Sequence, residues 1–283
     1  VWECPDLFPL SLNGKTYWVL LVSINPGGPN QGSATQYFIG QFDGKEFKAL
    51  STDTRWIDYG PDDYAGITWS NTGARKIFLG WMSNWDYANQ VPTSPWRNAM
   101  TIPRELSLEN SAGQILLASK PVAELNRLND KIVTFDAKAF NGENLLSAAG
   151  KVPGQYRLKM KLNKLNDFTI TLTNKIGDKV IVGYSQAKGS YYIDRSSAGQ
   201  KAFNKDFARI LYVPRFSKQP ESDLELVIDA ASVELFADGG LSVMTALVFP
   251  NQPYNQVSVQ AEKGAVSGSI QLIPLKSIWT AKN

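Results

Sequence analysis

Apolar and β-branched runs of four to eight residues, cut apart by Gly, Asn, Asp and Pro, fill this chain from end to end. They lie at residues 17–24, 36–41, 66–70, 76–82, 156–162, 168–173, 179–184, 224–228, 233–236 and 243–249. Runs this short cannot present the repeating stripe that a core helix needs, whereas a strand buries one face in five or six residues. Asn13-Gly14, Asp43-Gly44 and Asp238-Gly239-Gly240 fall between runs and favour the positive backbone angles of tight hairpins. Only residues 120–129 carry a helical spacing, enough for one short helix. The pattern predicts an all-β protein.

Two textures divide it. Residues 1–107 hold seven of the eight Trp, set among loops rich in Pro and Asn. Indole and phenol rings interleaved with amides and carboxylates suit a sugar, which offers apolar C–H faces and a rim of hydroxyls. Residues 126–283 show evenly spaced, plainly alternating strands, as in a β-sandwich, with 108–125 expected as the connection.

Composition removes several chemistries. Histidine is absent, so no imidazole is available as a base or a zinc ligand, and acid–base work falls to carboxylates. The single cysteine, Cys4, rules out an internal disulfide and is read first as a small buried residue. Lys plus Arg number 29 against 26 Asp plus Glu, without a basic stripe, so nothing points to nucleic acid. No apolar run is long enough for a membrane span. Glu3, set between Trp2 and Pro5 and followed by Leu7 and Phe8, is expected to be desolvated, as befits a general acid.

Several ordered motifs then resemble glycoside hydrolase family 32, the invertases, inulinases and levanases that cleave β-fructosides. They are Trp2-Glu3-Cys4-Pro5-Asp6, Ser23-Ile24-Asn25-Pro26-Gly27, Gln36-Tyr37-Phe38-Ile39-Gly40 and Asp58-Tyr59-Gly60-Pro61-Asp62-Asp63-Tyr64-Ala65. Leu79-Gly80-Trp81-Met82-Ser83-Asn84-Trp85, Val91-Pro92-Thr93-Ser94-Pro95-Trp96-Arg97 and Ile102-Pro103-Arg104-Glu105-Leu106 continue the match. The sandwich half resembles the family more loosely, through Tyr192-Ile193-Asp194-Arg195-Ser196 and the run from Ile228 to Phe236.

The resemblance implies a five-bladed β-propeller followed by a β-sandwich, and a retaining mechanism with two carboxylates about 5–5.5 Å apart across the scissile bond. Glu3 matches the family's acid/base. The nucleophilic Asp belongs to an Asn-Asp-Pro-Asn-Gly motif, and a stabilising Asp to an Arg-Asp-Pro motif. Neither occurs in these 283 residues. The chain is therefore expected to be the C-terminal part of such an enzyme: the last propeller blades and the sandwich, inactive alone.

By the same resemblance Trp85 walls the fructose pocket and Asn25 meets the sugar beyond the scissile bond. Cys4 lines the pocket or packs beside it. Asp58 and Asp62 recognise hydroxyls or support Glu3, with turn chemistry as the alternative, Asp62 leaning to structure. Trp81 is read as core, and Arg97 and Arg104 as ion-pairing groups between the two halves. The implied partner is a fructan or sucrose, with an N-terminal propeller segment supplied by the same or another chain. No metal or other cofactor is implied, homodimerisation through the sandwich is allowed, and the location is extracellular or periplasmic. The rival readings are a non-catalytic fructan-binding or scaffold remnant and a fructosyltransferase.

Overall fold

The computed structural model describes residues 1–136, 140–148, 154–261 and 268–279. The first nine strands are β1 (Trp2–Leu12), β2 (Lys15–Ile24), β3 (Ala34–Phe42), β4 (Phe47–Ala49), β5 (Tyr64–Thr68), β6 (Ile77–Met82), β7 (Ala99–Met100), β8 (Arg104–Ser111) and β9 (Gln114–Pro121). They make two antiparallel meanders, β1-β2-β3-β4 and β5-β6-β8-β9, with β7 added on β6. Asn13 and Gly14, both at positive φ, close the first hairpin with Leu12 opposite Lys15. Asp43 closes another, its Oδ1 accepting from the amides of Lys45 and Glu46 at 2.8 Å each.

These two sheets are propeller blades packed side by side. The edge strands β1 and β5 lie next to each other, and the Thr68 amide donates to Asp6 Oδ2 at 2.6 Å. Phe8, Leu21, Ile39, Phe78, Leu106 and Leu117 belong to one core between them. Each such side chain contributes about 1.5–3 kcal/mol by leaving water. The two blades do not close a ring.

The sandwich contains β10 (Val133–Phe135), β11 (Asn141–Asn144), β12 (Tyr156–Leu162), β13 (Phe168–Thr173), β14 (Lys179–Ser185) and β15 (Ser190–Ser197). It continues with β16 (Ile210–Pro214), β17 (Ser222–Asp229), β18 (Ser232–Ala237), β19 (Ser242–Leu247), β20 (Gln256–Ala261) and β21 (Gly268–Pro274). One sheet runs β10-β21-β12-β17-β18-β19, the other β11-β20-β13-β14-β15-β16. Phe168, Ile170 and Leu172 of β13 point into the core, and Thr169, Thr171 and Thr173 point out, the two-residue period read from the sequence. No helix is long and apolar enough to cross a membrane among the described residues.

The expected connection at 108–125 is corrected. Residues up to Pro121 are strand, because Leu106 and Leu108 of β8 and Leu116 and Leu117 of β9 are buried in the blades. A 3-10 helix at Ala123–Leu128 follows, within the segment where helical spacing was found.

Two buried arginines lock blade to sandwich. Arg104 donates through Nη1 to Asp58 Oδ2 (2.8 Å) and through Nη2 to Glu234 Oε2 (2.8 Å) and Thr245 Oγ1 (2.6 Å), with Asp63 Oδ2 at 3.0 Å. Arg195 donates to Asp62 Oδ2 at 2.8 Å and stacks on the Phe207 ring at 3.9 Å. Asp62 also accepts from the Tyr87 hydroxyl and the Leu247 amide. Asp58 accepts from the Gly60 and Thr245 amides as well. Both carboxylates are thus buried and fully engaged at the junction, which corrects their expected part in substrate binding. Arg104 joins the halves as expected; Arg97 is exposed and makes no ion pair within the described residues.

Candidate active site

The same distortion occurs on both edge strands. On β1, Glu3 pairs with Ser23 and Asp6 with Leu21, so one extra residue is inserted, and Cys4 takes φ +47°. On β5, Tyr64 pairs with Trp81 and Ile67 with Leu79, again one extra residue, and Ala65 takes φ +51°. A non-glycine residue held there costs of order 1–3 kcal/mol, and such bulges re-aim the side chain beside them. Glu3 and Tyr64 are those side chains, and they meet: the Tyr64 hydroxyl donates to Glu3 Oε2. Burial and this hydrogen bond push the Tyr64 phenol well above its ordinary range, so it remains a donor.

An aromatic wall continues from Tyr64. Its ring lies 6.3 Å from that of Trp81, which lies 5.0 Å from that of Trp85. Trp85 is 51% exposed, presenting indole to solvent. Its amide donates to Ser33 Oγ at 3.1 Å, and that hydroxyl donates to Asn25 Oδ1 at 3.4 Å. Glu3, Tyr64, Trp81, Trp85, Ser33 and Asn25 therefore form one chain of contacts at one end of the blades.

The support behind this face is buried and hydrogen-bonded. Buried Asn84 donates to the carbonyls of Pro61 (2.8 Å) and Gln31 (3.3 Å) and accepts from the Asp86 amide at 3.0 Å. Gly32, at φ +66°, lies directly against the Asn84 carboxamide, so a side chain there would collide with it. Ser23 and Thr35, the residues in register behind Glu3, share a buried hydroxyl hydrogen bond of 3.0 Å.

Several expectations change. Glu3 is exposed rather than desolvated: Trp2 is 64% exposed, and Phe8 belongs to the blade core farther along the strand. Cys4 is exposed, not buried, because the bulge turns it out of the pleat next to Glu3. Trp81 joins the wall and is absent from the blade core. The site also takes in Tyr64, Ser33 and Asn84, to which the sequence assigns no role. Tyr64 lies inside the Asp58–Ala65 motif, but nothing local separates it from the other aromatic residues there.

Chemically, this open face offers a carboxylate that can donate and reclaim a proton, a phenol that fixes it, and two indoles for apolar C–H surface. The contacts that build it include no second carboxylate. Asp6 is already taken by the Thr68 amide.

Both halves of the chain match known proteins. Residues 1–121 match the model of the glycosyl hydrolases family 32 N-terminal domain, and residues 122–276 that of the family's C-terminal domain. A levanase of Bacillus subtilis is 34% identical over 99% of this chain and 43% of its own length. An extracellular exo-inulinase of Aspergillus ficuum is 33% identical over 99% of this chain and 56% of its own. The crystal structure of exo-inulinase from Aspergillus awamori superposes with a TM-score of 0.87 at 28% identity, covering 99% of this chain and 58% of that one. The β-fructofuranosidase of Schwanniomyces occidentalis, complexed with fructosyl-erythritol, gives a TM-score of 0.84 at 26% identity. The chain thus spans about half the length of the relatives it matches.

Proposed function

Because this chain belongs to the glycosyl hydrolases of family 32, we propose that it supplies the acid/base half of a retaining β-fructosidase acting on fructans or sucrose. The single observation that carries the reading is the Glu3 carboxylate held by the Tyr64 hydroxyl on an open face walled by Trp81 and Trp85. In this reading Glu3 protonates the leaving glycosidic oxygen, then takes a proton from the water that releases fructose. Tyr64 fixes the carboxylate through both steps. Trp85 stacks on the furanose, and Asn25, aligned through Ser33, meets the sugar beyond the scissile bond. Cys4 stands beside the leaving group. The nucleophilic carboxylate comes from protein outside these 283 residues.

The levanase and exo-inulinase relatives support fructan as the substrate class, and the extracellular relatives support secretion. We read the blades as residues 1–121 and the sandwich as residues 122 onward, a division supported by the point at which the two family matches meet.

Fructose release from levan, inulin and sucrose tests the reading, with this chain alone and with the complete protein that contains it. The complete protein is expected to release fructose and the chain alone none. Release by the isolated chain would contradict the shared site, and a complete protein inert on all three would contradict the function.

A further inference from the structure

A second concave surface lies on the outer face of the sandwich, away from the residues of the candidate active site. It is a groove of about 660 Å³ on the sheet that ends in β16. Gln260, Thr169, Gly183, Tyr192 and Tyr212 are successive register partners on β20, β13, β14, β15 and β16, and they form one transverse row. Glycine at the middle of that row is what lets a ring lie down on the sheet. A Cβ on Gly183 would stand 2.5 Å from the Phe168 carbonyl oxygen, 2.6 Å from Tyr192 Oη and 2.7 Å from its Cζ. The Tyr212 ring lies 6.3 Å from that of Tyr192, with Lys188 Nζ 4.4 Å from its centre. In the next row Thr171, Ile181, Asp194 and Ile210 add hydroxyl, carboxylate and apolar surface.

A phenol lying along a sheet, with hydroxyl, amide and carboxylate groups on either side, matches a sugar chain: C–H faces on the ring, hydroxyls on the rim. A protein partner is a poorer match, because interface centres are depleted of charge and this floor carries Asp194 beside Ile210.

The edge of the groove also touches a loop that reaches the other site. The side chain of Asn30 donates to the Tyr212 carbonyl at 3.0 Å and accepts from the Tyr212 amide at 3.3 Å, and Arg209 donates to Gln31. Asn30 and Gln31 form the tip of the 25–33 loop, whose two ends, Asn25 and Ser33, stand at the candidate active site. One loop therefore links the edge of the groove to the sugar-facing residues.

The geometry points to an accessory subsite here that holds a remote stretch of the polymeric fructan whose end is cleaved at Glu3. This inference rests on the proposed function and is tested separately from it. Tyr192→Ala is compared with the parent chain by electrophoresis through gels containing levan, inulin or dextran, with thermal unfolding to confirm the fold. The parent chain and Glu3→Gln are expected to be retarded by a fructan and not by dextran, and Tyr192→Ala to lose that retardation. In the complete enzyme Tyr192→Ala is expected to lower kcat/KM about tenfold on the polymer and leave sucrose unchanged, a change of about 1.4 kcal/mol. Equal retardation of Tyr192→Ala and parent overturns the inference, as does equal retardation by dextran. Dissociation of a dimer by Tyr192→Ala also overturns it, since a second copy would then fill the groove. If the complete enzyme releases no fructose, the functional reading fails whatever the gels show. If it does, and the polymer-to-sucrose ratio is unmoved, only the groove fails.

Discussion

The Tyr64 hydroxyl donates a hydrogen bond to the Glu3 carboxylate across 61 positions of sequence, joining the edge strands of two adjacent blades. Each residue stands just before a left-handed residue in a bulge, so the backbone of both strands is bent to bring this pair together. The phenol in that place stays protonated, because burial and the carboxylate itself hold its pKa far above the neutral range. Tyr64 therefore positions Glu3 and takes no proton from it.

Tyr64→Phe keeps the ring against Trp81 and removes only the donor. We expect kcat of the complete enzyme to fall about ten- to a hundredfold, the effect of misplacing a catalytic group by about an ångström. The melting temperature should hardly change. Steady-state kinetics with a thermal melt check this; unchanged kcat would mean that the carboxylate is held by other groups.

Trp85 presents its indole to solvent and rests on Trp81. Truncating it to Ala should raise KM for sucrose and fructans by about tenfold or more, as expected for losing an aromatic anchor. The fold should survive, because half of the side chain is already exposed. An unaltered KM in initial-rate measurements would remove Trp85 from the site.

How much of this was legible in the sequence depends on the range of the interaction. Alternation in β13 and the Asn13-Gly14 turn are local, and the structure follows them. The apolar residues Leu108, Leu116 and Leu117 are equally local, yet they fall in the stretch expected as a connection and lie instead on strands β8 and β9. Asp58 and Asp62 sit in a stretch that reads as a turn. Their partners, Arg104 and Arg195, are 46 and 133 residues away, so no nearby pattern marks them as junction residues. Glu3, Asn25 and Trp85 were singled out by motif, and the structure strings them along one set of contacts. Tyr64 completes that set through tertiary packing alone.

Arg104 is the sole cation facing Asp58, Asp63 and Glu234 among the described ion pairs at the junction. Replacing it with Met leaves buried carboxylates without a counter-charge, a loss of about 3–5 kcal/mol. Urea unfolding at neutral pH should show a drop of that size. A loss below about 1 kcal/mol would mean that the junction contributes little to holding blade and sandwich together.

Asp63 gives the junction a pH dependence. Burial raises its carboxyl from 3.8 to about 8, with Arg104 opposing and Asp58 and Glu234 adding to the rise. The folded state therefore keeps a proton that the unfolded chain loses near pH 4. The stability this group contributes is fullest below about pH 4, declines as pH rises toward 8, and is level above that. Burial raises Glu234 in the same sense. Asp63→Asn should flatten the decline and be relatively more stable at pH 8 than at pH 5. Thermal melts at both values test this, and parallel curves for the two proteins would contradict it.

The most direct measurement is kcat of Glu3→Gln in the complete enzyme with sucrose or inulin as substrate, since Gln keeps the shape and the Tyr64 partner while removing the transferable proton. A fall of about a hundredfold or more in kcat, with KM little changed, is the predicted result. Parent-level kcat on either substrate would show that the proton reaches the leaving oxygen from some other group, and that Glu3 does not carry the chemistry.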